Sequence, residues 1–329
     1  MSDVSASAPT SKSAMTGWPK GLARRLMPGL LTLAAMVVIL LICGTIQPRI
    51  WSQGGMTLIL SPIVALAIAA MAQMVMMSIG DIDLSIGFFV GMVTTLAATV
   101  LRDSPALGVM SLGGCVLAYT ALGALVELRA VPSLIATLGA SFIWLGVGLF
   151  VLPVPGGLGP DWLVSYTMWR APLAIPTPLV TMVVAAALTW FVMQRTQLGV
   201  RFRTLGSNPV ALVRAGGSLL RVRMLAYGTV GVLGVAAGLT LTAEIGGGDV
   251  NAVPGYTLTT IAAVILGGGM FTGGRAVAWG TLCGAITLGL LTVLLTLLKL
   301  SSNLQPAVQA FIVIAVLAGR LVVDRKARQ

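Results

Sequence analysis

The chain has 329 residues, of which 57% are hydrophobic and only 9% charged, with a mean hydropathy of +1.00. A soluble domain of this size needs far more charged surface, so a water-soluble globular protein is excluded. A net charge of +11 suggests nucleic acid in a soluble protein, but here its distribution along the chain reports topology in a membrane.

Residues 1–27 are polar and rich in Ser and Ala, and read as a disordered cytoplasmic leader. The apolar run that follows has full spanning length and lacks the short core and small-residue cleavage site of a signal peptide, which predicts an uncleaved first helix. Charge-free intervals then succeed one another. They lie between Arg25 and Arg49, Arg49 and Asp81, Asp83 and Arg102, Asp103 and Glu127, and Arg129 and Asp161. Others lie between Arg170 and Arg195, Arg223 and Glu244, Asp249 and Arg275, Arg275 and Lys299, and Lys299 and Arg320. About 20 helical residues cross a hydrocarbon core of about 30 Å, and each interval approaches or exceeds that length. Lipid offers backbone groups no water, so the spans are helical. The fold class is an all-α integral membrane protein with about ten transmembrane helices. The interval after Asp83 is the shortest, and the one after Asp249 is interrupted by Pro254 and by glycines.

With the N-terminus in the cytoplasm and the spans alternating, only Arg49, Arg102, Arg170 and Lys299 fall outside. The other 16 of the 20 basic residues fall inside, with both termini. Anionic lipid headgroups are their secondary partners. The domain reading is one transmembrane unit over 28–323, with a cytoplasmic connection at 195–223, and a short cytoplasmic tail at 324–329.

Four stretches are not explained by lipid solubility. In Ser78-Ile79-Gly80-Asp81-Ile82-Asp83-Leu84-Ser85-Ile86-Gly87, two carboxylates stand between the second and third spans. Two readings fit: a tight turn in which Asp83 caps the next helix with help from Ser85, or a helix break at which the acids face an aqueous cavity or a partner chain. Residues 153–171 begin Pro153-Val154-Pro155-Gly156-Gly157, which forbids a continuing helix, and carry Trp162, Tyr166 and Trp169, which suit a headgroup interface. This loop is an anchored connector or a contact for an external binding protein.

The third stretch, Gln194 to Arg223, carries arginines and no acid. Within it Ser207 or Asn208 can cap a short helix that starts at Pro209 and stops at Gly216-Gly217. The fourth, Ile261 to Arg275, contains Gly267, Gly268, Gly269, Gly273 and Gly274. A phosphate-binding loop needs Gly-Lys-Ser/Thr after its glycines, and Arg275 follows here, so the small residues are assigned to close helix packing. There is no His, and Cys43, Cys115 and Cys283 each sit in an apolar run as packing residues, so no metal site is expected.

These segments, in this order, resemble the ribose-type family of ABC sugar-import permeases. The acidic turn is similar to that family's Gly-Ile-Asp-Leu-Ser-Val-Gly signature, with Asp81 in the glycine's place and Ile86 for valine. Val131-Pro132-Ser133-Leu134-Ile135-Ala136-Thr137-Leu138-Gly139 resembles its Pro-Phe-Ile-Ala-Thr-Leu stretch. Gln197-Leu198-Gly199 with Leu205-Gly206-Ser207-Asn208 resembles the approach to its coupling helix, and Ile261 to Arg275 resembles its Ile-Ala-Ala-Val-Val-Leu-Gly-Gly segment. Leu212 and Gly217 depart from the pattern.

The resemblance implies a multi-pass permease in the bacterial cytoplasmic (inner) membrane, paired with a second permease chain as homodimer or heterodimer. It implies docking of an ATP-binding cassette subunit inside and a periplasmic or surface-tethered sugar-binding protein outside. The chain itself would perform no covalent chemistry and hold no cofactor, with ATP and Mg on the partner ATPase. Coupling falls to Gly206, Asn208, Pro209, Ala211, Arg214 and Gly216. The signature turn or path falls to Asp81, Asp83, Ser85 and Thr137. The cargo is a monosaccharide or sugar-like molecule. The alternatives are a secondary transporter or channel without an ATPase, a permease for branched-chain amino acids, and a membrane-embedded enzyme. The last lacks a metal cluster or a nucleophile–base pair.

Overall fold

The computed structural model describes residues 20–168, 175–301, 304–305 and 307–311, with the backbone alone for 20–31 and Met168. Residues 1–19 of the expected leader, Trp169 and Arg170, the larger part of the interval after Lys299, and the 324–329 tail lie outside the described residues.

The described chain is helical. In order it forms α1 (Lys20–Ile46), α2 (Gln53–Ser78), α3 (Ile86–Leu96, prolonged by a π turn over Ala97–Leu101), α4 (Pro105–Leu128), α5 (Ser133–Val151) and α6 (Asp161–Met168). There follow α7 (Thr177–Arg195), α8 (Gln197–Ser207), α9 (Pro209–Arg214), α10 (Leu219–Ile245), α11 (Tyr256–Leu266) and α12 (Ala278–Leu297). Among the described residues α2, α4, α5, α7, α10 and α12 are long and apolar enough to cross a membrane, whereas Ile86–Leu101 and Tyr256–Leu266 are shorter apolar helices.

α2 is the axis of the bundle. It is apolar all round and buried almost continuously from Ile59 to Ser78, as a helix must be when neighbours cover every face. α10, α12, α7 and α11 pack around it. Single faces of α4, α5 and α7 instead expose large apolar side chains, including Leu117, Phe142, Phe150 and Leu188. Such surfaces suit lipid or another apolar chain.

Of the two intervals singled out by the sequence, the one after Asp83 holds a single short apolar helix, Ile86–Leu101, and the one after Asp249 becomes helical only beyond Pro254. Residues 79–85 run irregularly between α2 and α3, and residues 246–255 run irregularly from the end of α10 to α11. The second segment lies along α3. A Cβ on Gly91 would overlap the Val250 carbonyl oxygen, and one on Gly87 would stand 2.9 Å from the Val253 oxygen. Asp249 N–H donates to Thr94 Oγ1 at 3.0 Å, and Thr94 donates back to the Asp249 oxygen at 3.2 Å. Non-helical backbone inside a bundle must find such partners because lipid supplies none.

At this end of the bundle Gly156 and Gly248 exchange backbone hydrogen bonds of 3.0 and 2.8 Å. This ties the 153–159 loop to the chain leaving α10. A cavity of about 430 Å³ opens there, lined by Pro155, Gly157, Gly247 and Asp249 among others.

The glycine-rich segment after α11 divides into two uses. Gly267 is a contact point, since a Cβ there would overlap the Gly280 carbonyl of α12, and this brings the two backbones together. Gly268, at φ 100°, turns the chain out of α11. Of the glycines expected to serve helix packing, Gly268 turns the chain instead, and Gly273 and Gly274 meet the end of α8 and not α12.

Gly267→Val should destabilise the detergent-solubilised protein by about 2 kcal/mol or more through overpacking. Gly113→Ala, on an open face of α4 where an added Cβ meets nothing within 4 Å, should leave thermal unfolding unchanged or slightly raised. Equal melting shifts in the two variants would contradict the close approach of α11 and α12.

Candidate functional site

Three segments far apart in sequence converge where α2 ends. Gly274 N–H donates to the Ser78 carbonyl at 2.8 Å. A Cβ on Gly206, near the end of α8, would overlap that same Ser78 oxygen and lie 2.7 Å from Gly274 N. A Cβ on Gly273 would come within 2.8 Å of the Gly206 oxygen. Glycine at these positions lets three backbones touch with no side chains between them.

The 79–85 turn is held from the other side by α5. Thr137 Oγ1 accepts from Leu84 N–H at 3.1 Å and donates to the Ser133 carbonyl at 2.8 Å. Ser133 Oγ faces Ile82 N–H at 3.5 Å. Gln73 of α2, with its amide oriented to complement them, bonds the backbone oxygen and N–H of Asp83 at 3.2 and 3.3 Å.

Asp83 is fully buried. Its Oδ1 accepts from the backbone N–H of Ser85 at 2.7 Å and from the Ser85 hydroxyl at 2.8 Å. Its Oδ2 accepts from the Tyr119 hydroxyl of α4 at 2.6 Å. The ring of Tyr119 stacks on Trp144 of α5 and meets the edge of Phe89 of α3. The simple cap is thus corrected. Ser85 occupies the cap position of α3, and Asp83 uses one oxygen to shape the turn and the other to bind a neighbouring helix. At Asp83 protein donors take up both carboxylate oxygens, so this acid does not open onto an aqueous path. A buried carboxylate requires such donors to offset its desolvation.

Asp81 is less enclosed and enters an ionic cluster. Tyr227 of α10 donates to Asp81 Oδ2 at 3.2 Å. Arg223 Nε, one helical turn earlier, stands 3.6 Å from Asp81 Oδ2 and 3.2 Å from Glu127 Oε2 at the end of α4. The three side chains are 10–21% exposed, so water screens the cluster only in part. At an effective dielectric constant near 20, charges about 4 Å apart attract by about 4 kcal/mol before that screening.

The arginine-rich connection forms two helices. α8 is capped by Thr196 and buries Phe202 and Leu205. α9 has Asn208 as its cap, with Oδ1 accepting from Ala211 N–H at 3.0 Å, and Pro209 at its first position. Of the two proposed caps Asn208 is the one used, since Ser207 belongs to α8. Gly216, at φ 78°, ends the turn after α9. Leu212 anchors α9 by burial, while Val210, Val213, Ala211 and Arg214 are exposed.

The site therefore gathers Asp81, Asp83, Ser85, Thr137, Gly206, Gly273 and Gly274. Gly267 and Gly268 lie apart, on α11. Sequence reading singled out Gln73 only as a polar candidate within the spans, and missed Tyr119, Tyr227, Arg223, Glu127 and Ser133, and the exposed Val210 and Val213. The polar lining of the helices largely bonds back to its own backbone, as with Thr95 to Met92, Ser141 to Leu138 and Thr242 to Gly238. Among the described residues no cluster of three His, Cys, Asp or Glu could hold a metal ion.

Comparison with known proteins places these features in context. A family described as branched-chain amino acid transport system, permease component, matches residues 55–317. The ribose import permease protein RbsC of Escherichia coli K12 is 30% identical over 293 residues, covering 86% of this chain and 90% of RbsC. The "Probable ABC transporter permease protein YphD" of Escherichia coli K12 is 31% identical over 90% of both chains. The galactofuranose transporter permease protein YtfT of the same organism is 29% identical over 91% of this chain and 89% of YtfT. No solved structure matches the chain.

Asp83→Asn should cost about 2 kcal/mol or more, beyond the roughly 1 kcal/mol of a lost cap, because a donor would be turned toward other donors. Tyr119→Phe should cost about 1–2 kcal/mol. Unfolding of the single and double variants should be strongly non-additive, and strict additivity would show that the two side chains do not interact.

Proposed function

This chain belongs to the family of permease components of binding-protein-dependent ABC importers, and from that membership we propose how it works. It is a transport subunit and not an enzyme; it forms the path across the membrane, and a separate subunit hydrolyses ATP. The proposed cargo is a monosaccharide or sugar-like small molecule, supported by the ribose and galactofuranose permeases it resembles. The proposed topology has ten crossings in the bacterial inner membrane with both termini cytoplasmic, supported by the asymmetry of basic residues. A second permease chain, a sugar-binding protein outside and an ATP-binding cassette subunit inside complete the assembly, with ATP and Mg on that last subunit.

The observation that carries the reading is α9. It is a short capped helix with Val210 and Val213 outward and Leu212 buried, joined through α8 to the backbone of the signature turn at Gly206 and Ser78. Its exposed apolar pair suits a groove in a partner protein. We assign coupling to Gly206, Asn208, Pro209, Ala211, Arg214 and Gly216. ATP-driven closure of the partners would move α9, and the contact at Gly206 would carry that movement to the ends of α2 and α3. Asp81, Asp83, Ser85 and Thr137 hold the turn that receives it. A secondary transporter would place an ion relay at this depth, whereas Asp83 here is saturated by Tyr119 and Ser85. The description of the matching family supports amino acids as a second class of cargo.

Reconstitution with the neighbouring ATPase and binding protein tests both points. Uptake of labelled ribose, xylose or galactose should require ATP, and labelled leucine should not be carried. ATP-independent uptake would overturn the importer reading, and leucine uptake the sugar reading. Asn208→Leu and Gly216→Val should leave membrane insertion and ATP hydrolysis in place and lower uptake per ATP by about tenfold. Unchanged uptake per ATP in both would remove α9 from the coupling role.

A further inference from the structure

The Arg223 side chain stands within ion-pair distance of two acids on different elements. Glu127 ends α4, while Asp81 belongs to the irregular turn that joins the central helix α2 to α3. Arg223 itself lies in the second turn of α10, and only residues 215–218 separate α10 from α9. One guanidinium thus bridges the helix that follows α9, the end of α4 and the signature turn. Tyr227, one turn further along α10, adds a hydroxyl to the same Asp81 oxygen.

The two ion-pair distances, 3.2 Å to Glu127 and 3.6 Å to Asp81, leave the cation shared between its partners. A planar guanidinium with several donors can shift toward either acid without losing the other's field. The two ion pairs stand between α9 with the start of α10 on one side and the turn that sets α3 on the other. From Asp83 the turn continues by Tyr119 to the aromatic cluster with Phe89 and Trp144. α3 in turn binds the 246–255 segment through Thr94 and Asp249. The connection from α9 to the far end of the bundle is therefore continuous, and Arg223 is a charged joint within it.

We infer that Arg223, acting through Asp81 and Glu127, is the positioning residue that transmits movement of the α9–α10 corner to the signature turn and α3. This inference rests on the importer reading and adds to it an electrostatic contact that transmission requires together with the backbone contact at Gly206. A joint of this kind differs from a structural brace. A brace fails by loss of folding and lowers every activity together, while a joint, when neutralised, leaves ATP hydrolysis running without its consequence across the membrane.

The test uses the complete importer in lipid nanodiscs, with Asn251→Cys on the exposed part of the 246–255 segment as reporter. The probe is a membrane-impermeant maleimide, and the measurement is the ratio of labelling rates with and without ATP and vanadate, taken beside the rate of ATP hydrolysis. Arg223→Gln should move that ratio to near one while hydrolysis persists, a loss of response of about fivefold or more. Arg223→Lys, which keeps the charge, should restore part of the response. Because a single neutralisation leaves unpaired acids that can unfold the chain, the combined Asp81→Asn, Glu127→Gln, Arg223→Gln variant is measured as well and should show the same loss. An unchanged labelling ratio in the combined variant would overturn the inference, as would hydrolysis and response falling in equal proportion. Asn208→Leu run in parallel separates the two claims. If it abolishes the response and the charge-free variant does not, α9 couples and Arg223 is not the joint. If neither alters the response, the importer reading of α9 fails with it.

Discussion

Lipid supplies no hydrogen bonds, and the arrangement of this protein follows from that constraint. Every stretch of chain that leaves the helical conformation inside the bundle must find its partners in protein. Residues 79–85 find theirs in Gln73, Ser133, Thr137 and Tyr119, and residues 246–255 find theirs in Thr94 and Gly156. These partners sit on α2, α3, α4, α5 and the 153–159 loop. The two irregular segments thereby draw most of the bundle around themselves, and they are where polar chemistry at depth is concentrated.

Rigidity at the α9 end has a different origin. Glycine contacts bring three backbones together at Ser78, Gly206 and Gly274, which leaves no flexible side chain to absorb a displacement. Close-packed interiors transmit strain in this way because they have few voids to yield into. The short helix α9 follows that junction with Val210 and Val213 outward. Electrostatics adds the second tie, through Arg223, Asp81 and Glu127. The acid at position 81, where the resembling signature has glycine, is what places Arg223 in contact with the turn.

Much of this was legible in the chain before any coordinates. Ten charge-free intervals announced a membrane protein because burial in hydrocarbon forbids charge, and the caps of α9 were readable because Asn, Pro and Gly act within a few residues. The helices and breaks of the described intervals follow the sequence pattern, including the interruption near Pro254. Asp83 was misread as a choice between cap and open path because its second oxygen is satisfied by Tyr119, thirty-six positions away. Gly273 and Gly274 were misassigned for the same reason: a glycine shows that something comes close, but not what.

The sequence by itself determined that the protein lives in a membrane, that it is helical there, and which four stretches are not explained by hydrophobicity. Those are local properties, set by the solvation of each segment and by backbone preferences over a turn or two. Only the tertiary structure decided that the signature turn, the end of α8 and the Gly-Gly-Arg loop are one junction, and that Arg223 is shared between Asp81 and Glu127. Contacts between segments more than a hundred residues apart depend on how the helices pack, and nearly uniform apolar surfaces carry little record of their neighbours.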